Sequence, residues 1–243
     1  FLSNSGANRL FENQGGQFVD ATAEYGLQEV GLGGPSFGAA WGDFDNDSDM
    51  DLYVPYFGEG NRLYTNEGDR FRDLGRQFGV TEPDTGRSRG AVWGDFDNDG
   101  DLDLYVTNSG HANLLFQNNQ ARFAELADSF SVSVGDDSRG VALADYDGDG
   151  GLDLFVAVQN RMDRLFRNQE SNGNWLTIRP RGTDSSSDAI CTRFEIVFDG
   201  GRRAVREITG GSSYLSQDAL TATFGLNFAT VVDTLTIRWP LGI

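Results

Sequence analysis

The chain has no lysine; all 19 of its basic residues are arginine. A compositional bias of the coding sequence is the plainest reading of that. Cysteine occurs once, at Cys191, so no intrachain disulfide can form and cysteine usage leaves the compartment open. Histidine also occurs once, at His111, in a Ser-Gly-His-Ala stretch that reads as a surface turn. No apolar run approaches the roughly 18 residues of a membrane-spanning helix. No secretory leader is evident, so a secreted form is expected to be the processed one. The formal net charge of −18 and the pI of about 4.2 should repel nucleic acid and anionic membranes. Phosphate-binding loops and dinucleotide fingerprints are absent.

Aromatic residues, by contrast, are plentiful, with 18 phenylalanines, enough for a real core across 243 residues. Acid is concentrated in three short runs. GAAWGDFDNDSDMDLYV (38–54), GAVWGDFDNDGDLDLYV (90–106) and GVALADYDGDGGLDLFV (140–156) align, with their first aspartates spaced by 52 and then 50 residues. A second element keeps step: NRLFENQGGQFVD (8–20), NRLYTNEGDRFRD (61–73), NLLFQNNQARFAE (113–125) and DRLFRNQ (163–169). In the middle unit, strand-like pieces fall at 89–94, 103–107, 113–117 and 122–127, separated by Gly, Asn and Asp turns. Four short strands per unit of about 40–50 residues is a propeller blade. Residues 1–5 align with the strand after an acidic loop. A partial blade is therefore expected at the N-terminus, lacking its loop and innermost strand. The third loop-bearing unit is expected to lack its outer strand, because the pattern changes after Asn168.

Each acidic run reads D-x-D-x-D-[GS]-x-x-D. Alternating carboxylates converge when the chain curls tightly, and hard oxygen donors at this density suit Ca²⁺ better than the stricter octahedron of Mg²⁺. The expected ligands are Asp43, Asp45, Asp47 and Asp51; Asp95, Asp97, Asp99 and Asp103; and Asp145, Asp147, Asp149 and Asp153. The seventh position (Asp49, Asp101, Gly151) is expected to offer its backbone carbonyl. Gly100 and Gly150 permit a sharp turn that Ser48 makes less freely, so the first site is expected to be the weaker. An EF-hand needs a glutamate at position twelve and flanking helices; here stand Val54, Val106 or Val156 and strands. About three Ca²⁺ sites follow. Solvated acidic turns are the competing reading, disfavoured by three copies at one spacing.

These loops resemble the FG-GAP/VCBS-type repeats of integrin α-chain propellers and bacterial secreted proteins. That resemblance implies calcium-bound blades, with Asp43, Asp95 and Asp145 opening the loops. From about Asn174 the chain resembles the ASPIC/UnbV domain, through NWL (174–176), DAI (188–190), GGSSYLSQ (210–217), FGL (224–226) and RWP (238–240). Cys191 and Asn227 stand where that family usually carries glycine, which puts the local turns in question. Strand-like alternation in TIRPR, RFEIVF, RAVREIT and TLTIRW makes the segment β-rich, with a hairpin turn at Gly200-Gly201. Arg202, Arg203 and Arg206 form a basic patch: a solvated strand face is the preferred reading, a contact to the acidic repeats the alternative.

The expected fold is therefore all-β: β-propeller-type four-stranded blades, with three calcium-loop repeats plus a partial N-terminal blade, and a C-terminal β-rich domain. The expected units are 1–35 (partial blade), 36–172 (calcium-binding blades) and 173–243 (ASPIC/UnbV-like domain). The combination implies an extracellular, secreted adhesion or interaction module binding a protein or glycan ligand, with no nucleic acid partner and no membrane span. No catalytic constellation is evident, and the chain reads as a non-enzyme. Trp41 and Trp93 precede the loops at matching positions and read as core. Two alternatives stay open. One is a self-assembling subunit, a homo-oligomer or filament joined through incomplete blades. The other is a calcium-dependent polysaccharide-active enzyme.

Overall fold

The computed structural model describes residues 1–28, 34–81, 86–169, 173–184 and 186–240. The expected boundary at 172 falls on a residue outside the described set. Two four-stranded antiparallel sheets form first. One is β3(Ala40–Gly42), β4(Asp51–Val54), β5(Arg62–Asn66) and β6(Phe71–Asp73) in simple sequential order. The next is β7(Ser88–Gly94), β8(Asp103–Asn108), β9(Leu114–Asn118) and β10(Phe123–Glu125). Among the described residues a third sheet holds β11(Ser138–Ala144), β12(Asp153–Val158) and β13(Arg164–Phe166). Before them stands one hairpin, β1(Phe11–Gln14) with β2(Gln17–Asp20). The three repeats form blade-like sheets, as expected, and among the described residues the third sheet has three strands. One helical turn, α1(Gly75–Phe78), interrupts the β structure.

Burial explains the order of strands. The first strand of the second blade, Ser-Arg-Gly-Ala-Val-Trp-Gly, is buried at all but one position, and small side chains let it fit between its neighbours. The last strands, β6 and β10, are mostly exposed beyond their leading phenylalanine. Between the first and second blades, Tyr53 and Leu63 pack on Ala91, Trp93, Leu104, Val106 and Phe116. Phe44 stacks on Trp93, with ring centroids 6.0 Å apart, and Phe78 and Phe123 close the cluster. Trp93 is thus core, as expected; Trp41 meets Phe71 edge-on. Between the second and third blades, Tyr105 and Leu115 repeat the roles of Tyr53 and Leu63. The buried tyrosine hydroxyls donate to carbonyls at matching places, Val80 at 2.8 Å and Val132 at 2.7 Å.

No fourth strand follows β13 among the described residues. A counterpart of Phe123 is therefore missing, and a cavity of about 340 Å³ lies there, bordered by Phe96, Phe130, Leu152, Leu154 and Phe166. On the far side, Phe155 and Leu165, which match Tyr53 and Leu63, are 43% and 57% exposed.

The C-terminal unit has two small sheets. One pairs β14(Asn174–Ile178) with β17(Ala222–Asn227); the other orders β16(Arg202–Glu207), β15(Arg193–Phe198) and β18(Val232–Arg238). Phe194, Ile196, Phe198, Ala204 and Phe224 form their shared core. Cys191 (φ 68°) and Asn227 (φ 52°) both occupy the left-handed region, which explains glycine as the usual residue there. The GGSSYLSQ segment threads along the first strands of all three blades. Ala219 N–H donates to the Leu143 carbonyl at 2.9 Å, and Leu143 N–H to Asp218 Oδ1 at 2.8 Å. Gly38, Gly90 and Gly140 stand where it passes: a β-carbon would come within 2.9, 2.5 and 2.8 Å of Tyr214 N, Ser213 Oγ and Tyr214 O.

Candidate metal centre

All three acidic loops fold alike, because the same hydrogen bonds recur. The first carboxylate accepts the sixth residue's N–H: Ser48 to Asp43, Gly100 to Asp95 and Gly150 to Asp145, each at 3.1 Å. The fifth carboxylate accepts the seventh N–H: Asp49 to Asp47, Asp101 to Asp99 and Gly151 to Asp149, at 2.8, 2.8 and 3.0 Å. The ninth carboxylate accepts two backbone N–H groups. Asp51 takes those of Phe44 and Asn66, Asp103 those of Phe96 and Asn118, and Asp153 those of Tyr146 and Asn168. The ninth aspartate therefore staples the loop to the third strand of its blade, a role the sequence did not announce. The sixth residue is left-handed in each loop, at φ 77° for Ser48, 99° for Gly100 and 90° for Gly150.

The carboxylates converge as three groups: Asp43, Asp45 and Asp51; Asp95, Asp97 and Asp99; and Asp145, Asp147 and Asp153. Within each, one oxygen per residue lies within 4.8 Å of the others. Asp47, Asp49, Asp101, Asp103, Asp149 and Gly151 stand outside these groups. The Asp101 carboxylate is turned away, accepting from Asn46 Nδ2 and Gln120 N–H, both at 2.8 Å. Asp47 and Asp149 are engaged in the turn bonds above, and Asp103 in its two backbone bonds.

A cation fits these groups on chemical grounds. The donors are all hard oxygens. Asp43 and Asp95 are each 1% exposed, and the Oδ1 of each, like Asp45 Oδ1, is buried with no hydrogen-bond partner among the described residues. A buried charge without a partner is costly, and a divalent cation removes that cost. The protonation equilibria tell the same story. Burial, then repulsion by Asp47 and Asp45, pushes the Asp43 carboxyl up to about 6. Burial raises Asp51 to about 8 and Asp99 to about 6. It raises Asp95 to about 7 against the pull of Arg206, and Asp103 well above the usual range.

The loops differ in what else surrounds them. The third is the most open, and Arg167 pairs with its Asp147 at 2.5 Å and its Asp149 at 3.0 Å. Gln117 holds the matching place beside Asp97, at 2.5 Å. The loops are also tied in a row: Asn46 reaches Asp101 in the second loop, and Asn98 reaches the Gly150 carbonyl in the third, at 3.1 Å. Asn118 and Asn168 each reach back one blade, to the Phe44 and Phe96 carbonyls at 2.8 and 2.7 Å. These asparagines were not singled out from the sequence. The signal was present, an Asn at the sixth position of each copy of the second repeat element.

The basic patch divides. Arg202 donates to the Asp99 carbonyl at 2.8 Å and lies 3.4 Å from Asp101; Arg206 lies 3.9 Å from Asp95, its side chain 12% exposed. Only Arg203 faces away, paired with Glu195 on an exposed strand face. The preferred reading of a solvated patch is thus corrected for Arg202 and Arg206, because the sheet that carries them packs onto the second loop. His111 is exposed in a bend, as expected.

Blades of this kind, each opening on an aspartate loop, define the class. The chain belongs to the FG-GAP-like repeat family, whose model matches residues 1–54, 56–106 and 95–156. The model for ASPIC and UnbV matches residues 182–243. Two relatives are cartilage acidic protein 1 of Xenopus tropicalis, 32% identical over 260 residues, and that of Homo sapiens, 31% identical over 257 residues. Each alignment takes in 98% of this chain but 38% of the relative's length. The same protein of Mus musculus is 34% identical over 123 residues, 46% of this chain and 18% of the relative. Among the described residues no helix is long and apolar enough to cross a membrane.

Proposed function

We propose that this chain is an extracellular interaction module of the matrix type, whose blades are held in shape by one Ca²⁺ in each acidic loop. The observation that carries the reading is the recurrent cluster of loop carboxylates, with buried oxygens at Asp43, Asp45 and Asp95 that have no partner among the described residues. The likeness to cartilage acidic proteins supports the matrix setting. Calcium here is a structural ion. For a dissociation constant of about 10 μM and free Ca²⁺ of about 1 mM, each site adds roughly 2.7 kcal/mol to stability. Three such sites rival the whole stability of an ordinary domain. Thermal unfolding in about 1 mM Ca²⁺ and in chelator tests this. A rise of many degrees with Ca²⁺ is expected, and coincident melts sink the reading.

A second reading, assembly into oligomers or filaments, is favoured by the exposure of Phe155 and Leu165. Their counterparts Tyr53, Leu63, Tyr105 and Leu115 are buried under a following blade. Light scattering in Ca²⁺ separates the two readings: a monodisperse monomer disposes of assembly.

A further inference from the structure

The second acidic loop differs from the other two in one respect: the C-terminal unit builds part of it. Asp95 Oδ2 accepts two backbone N–H groups, Gly100 from its own loop at 3.1 Å and Gly225 from β17 at 3.0 Å. Its other oxygen, Oδ1, is buried and has no partner among the described residues. Asn227 N–H donates to the Asn98 carbonyl at 2.8 Å, and Arg202 donates to the Asp99 carbonyl at 2.8 Å. The first and third loops meet the C-terminal unit more lightly. Arg193 reaches the Ser48 carbonyl, and the Trp175 ring lies over Gly150. Among the described residues neither Asp43 nor Asp145 receives a bond from that unit.

These contacts have a direction. Donors on one oxygen of Asp95 fix the carboxylate plane and leave Oδ1 turned away from them, as outer-shell partners orient a metal ligand. The bonds to the Asn98 and Asp99 carbonyls hold the turn that carries the fifth position. In return, an ion on Asp95 and Asp99 would hold those same acceptors where β17 and Arg202 need them. The approach is also close: a β-carbon at Gly225 would lie 2.3 Å from Asp95 Oδ2 and 2.5 Å from the Asn98 backbone.

We propose that the second loop is a two-domain cation site, in which β17 and Arg202 of the C-terminal unit are positioning elements for the ligands Asp95 and Asp99, so that cation binding there and docking of the C-terminal unit strengthen each other. This rests on the reading of the loops as Ca²⁺ sites. Linkage makes the coupling reciprocal: whatever docking adds to affinity, the ion adds to docking. Ca²⁺ is then more than a brace within one blade. Through the second loop it sets how firmly the C-terminal unit sits on the blades.

The test uses the full chain. In the wild type, hydrogen exchange is followed at the Gly225 and Asn227 amides, in Ca²⁺ and in chelator. Calcium titration then compares the wild type with Gly225→Ala and with Arg203→Gln, whose arginine lies next to Arg202 on β16 but, among the described residues, pairs with Glu195. Expected are stronger protection of both amides in Ca²⁺, and weakening of one site of three by about tenfold or more in Gly225→Ala. Arg203→Gln should leave all three unchanged. Equal exchange of the two amides with and without Ca²⁺, in a chain that binds the ion, overturns the proposal. So do three unaltered sites in a folded Gly225→Ala variant. If no Ca²⁺ binds at all, the underlying reading of the loops has failed instead. The exchange arm needs no variant, so misfolding of Gly225→Ala leaves the proposal open to refutation.

Discussion

Ser48 is the one residue with a side chain at the sixth loop position, and its backbone sits at φ 77°. A β-carbon in the left-handed region costs about 1–2 kcal/mol. Glycine removes that cost but gains freedom in the unfolded chain, worth about 0.5–1 kcal/mol the other way. Ser48→Gly should therefore stabilise by a net of roughly 0.5–1 kcal/mol. The bonds that shape this loop, Ser48 N–H to Asp43 and Arg193 to the Ser48 carbonyl, use only the backbone of residue 48 and survive the change. If the empty loop is frayed, the gain appears as about two- to fivefold tighter calcium binding at the first site. The reverse changes should differ in size. At Gly100 a β-carbon meets Arg202 Nη2 at 2.9 Å, the end of a flexible side chain. At Gly150 it would fall 2.1 Å from the Trp175 ring, which must move bodily. Gly150→Ser should thus cost more than Gly100→Ser, and both more than the strain alone. Chemical denaturation and calcium titration of the three single variants give the series. A Ser48→Gly chain that loses stability, or a Gly150→Ser chain that loses none, refutes the reasoning.

Three further outcomes are expected. Asn118→Ala removes a fully buried amide that bridges the Phe44 and Leu102 carbonyls, and should cost about 1–3 kcal/mol in denaturant unfolding. Arg167→Gln frees Asp147 and Asp149 from a built-in cation, so calcium titration should find the third site tighter. In chelator, carboxyls raised to about 6, 7 and 8 at Asp43, Asp95 and Asp51 stabilise the fold while protonated. That contribution is fully present below the ordinary carboxylate range and lost as pH rises through those values. Calcium needs the ionised forms. The gain in melting temperature on adding Ca²⁺ should therefore grow steadily from about pH 5.5 to about pH 8, and a gain that shrinks contradicts it.

Repetition made the blades legible. One Asp loop could be any acidic turn, but three in register with a second recurring element fix strand order, turn positions and the crowded first strand. The same comparison pointed to a third blade without an outer strand, and none follows β13 among the described residues. Two things did not show. Periodicity reports what a residue does within its own unit, whereas Asn118 and Asn168 work by reaching the preceding one. And the role of Arg202 and Arg206 depends on which face of the C-terminal sheet meets the blades. Strand alternation is blind to that: Arg203, one residue along, points to solvent. The glycines at 38, 90 and 140 recur visibly in the sequence, but their reason, the passage of GGSSYLSQ across them, lies some 70 or more residues further along the chain.

The central claim is one structural Ca²⁺ per acidic loop, and counting bound ions tests it most directly. Equilibrium dialysis of the chelator-stripped chain against about 1 mM Ca²⁺ should return three ions per chain. Asp43→Asn, Asp95→Asn and Asp145→Asn should each lower the count by one, since each removes the first carboxylate of a different loop. No bound Ca²⁺ in the stripped wild type, or a count that the three variants leave unchanged, contradicts the account.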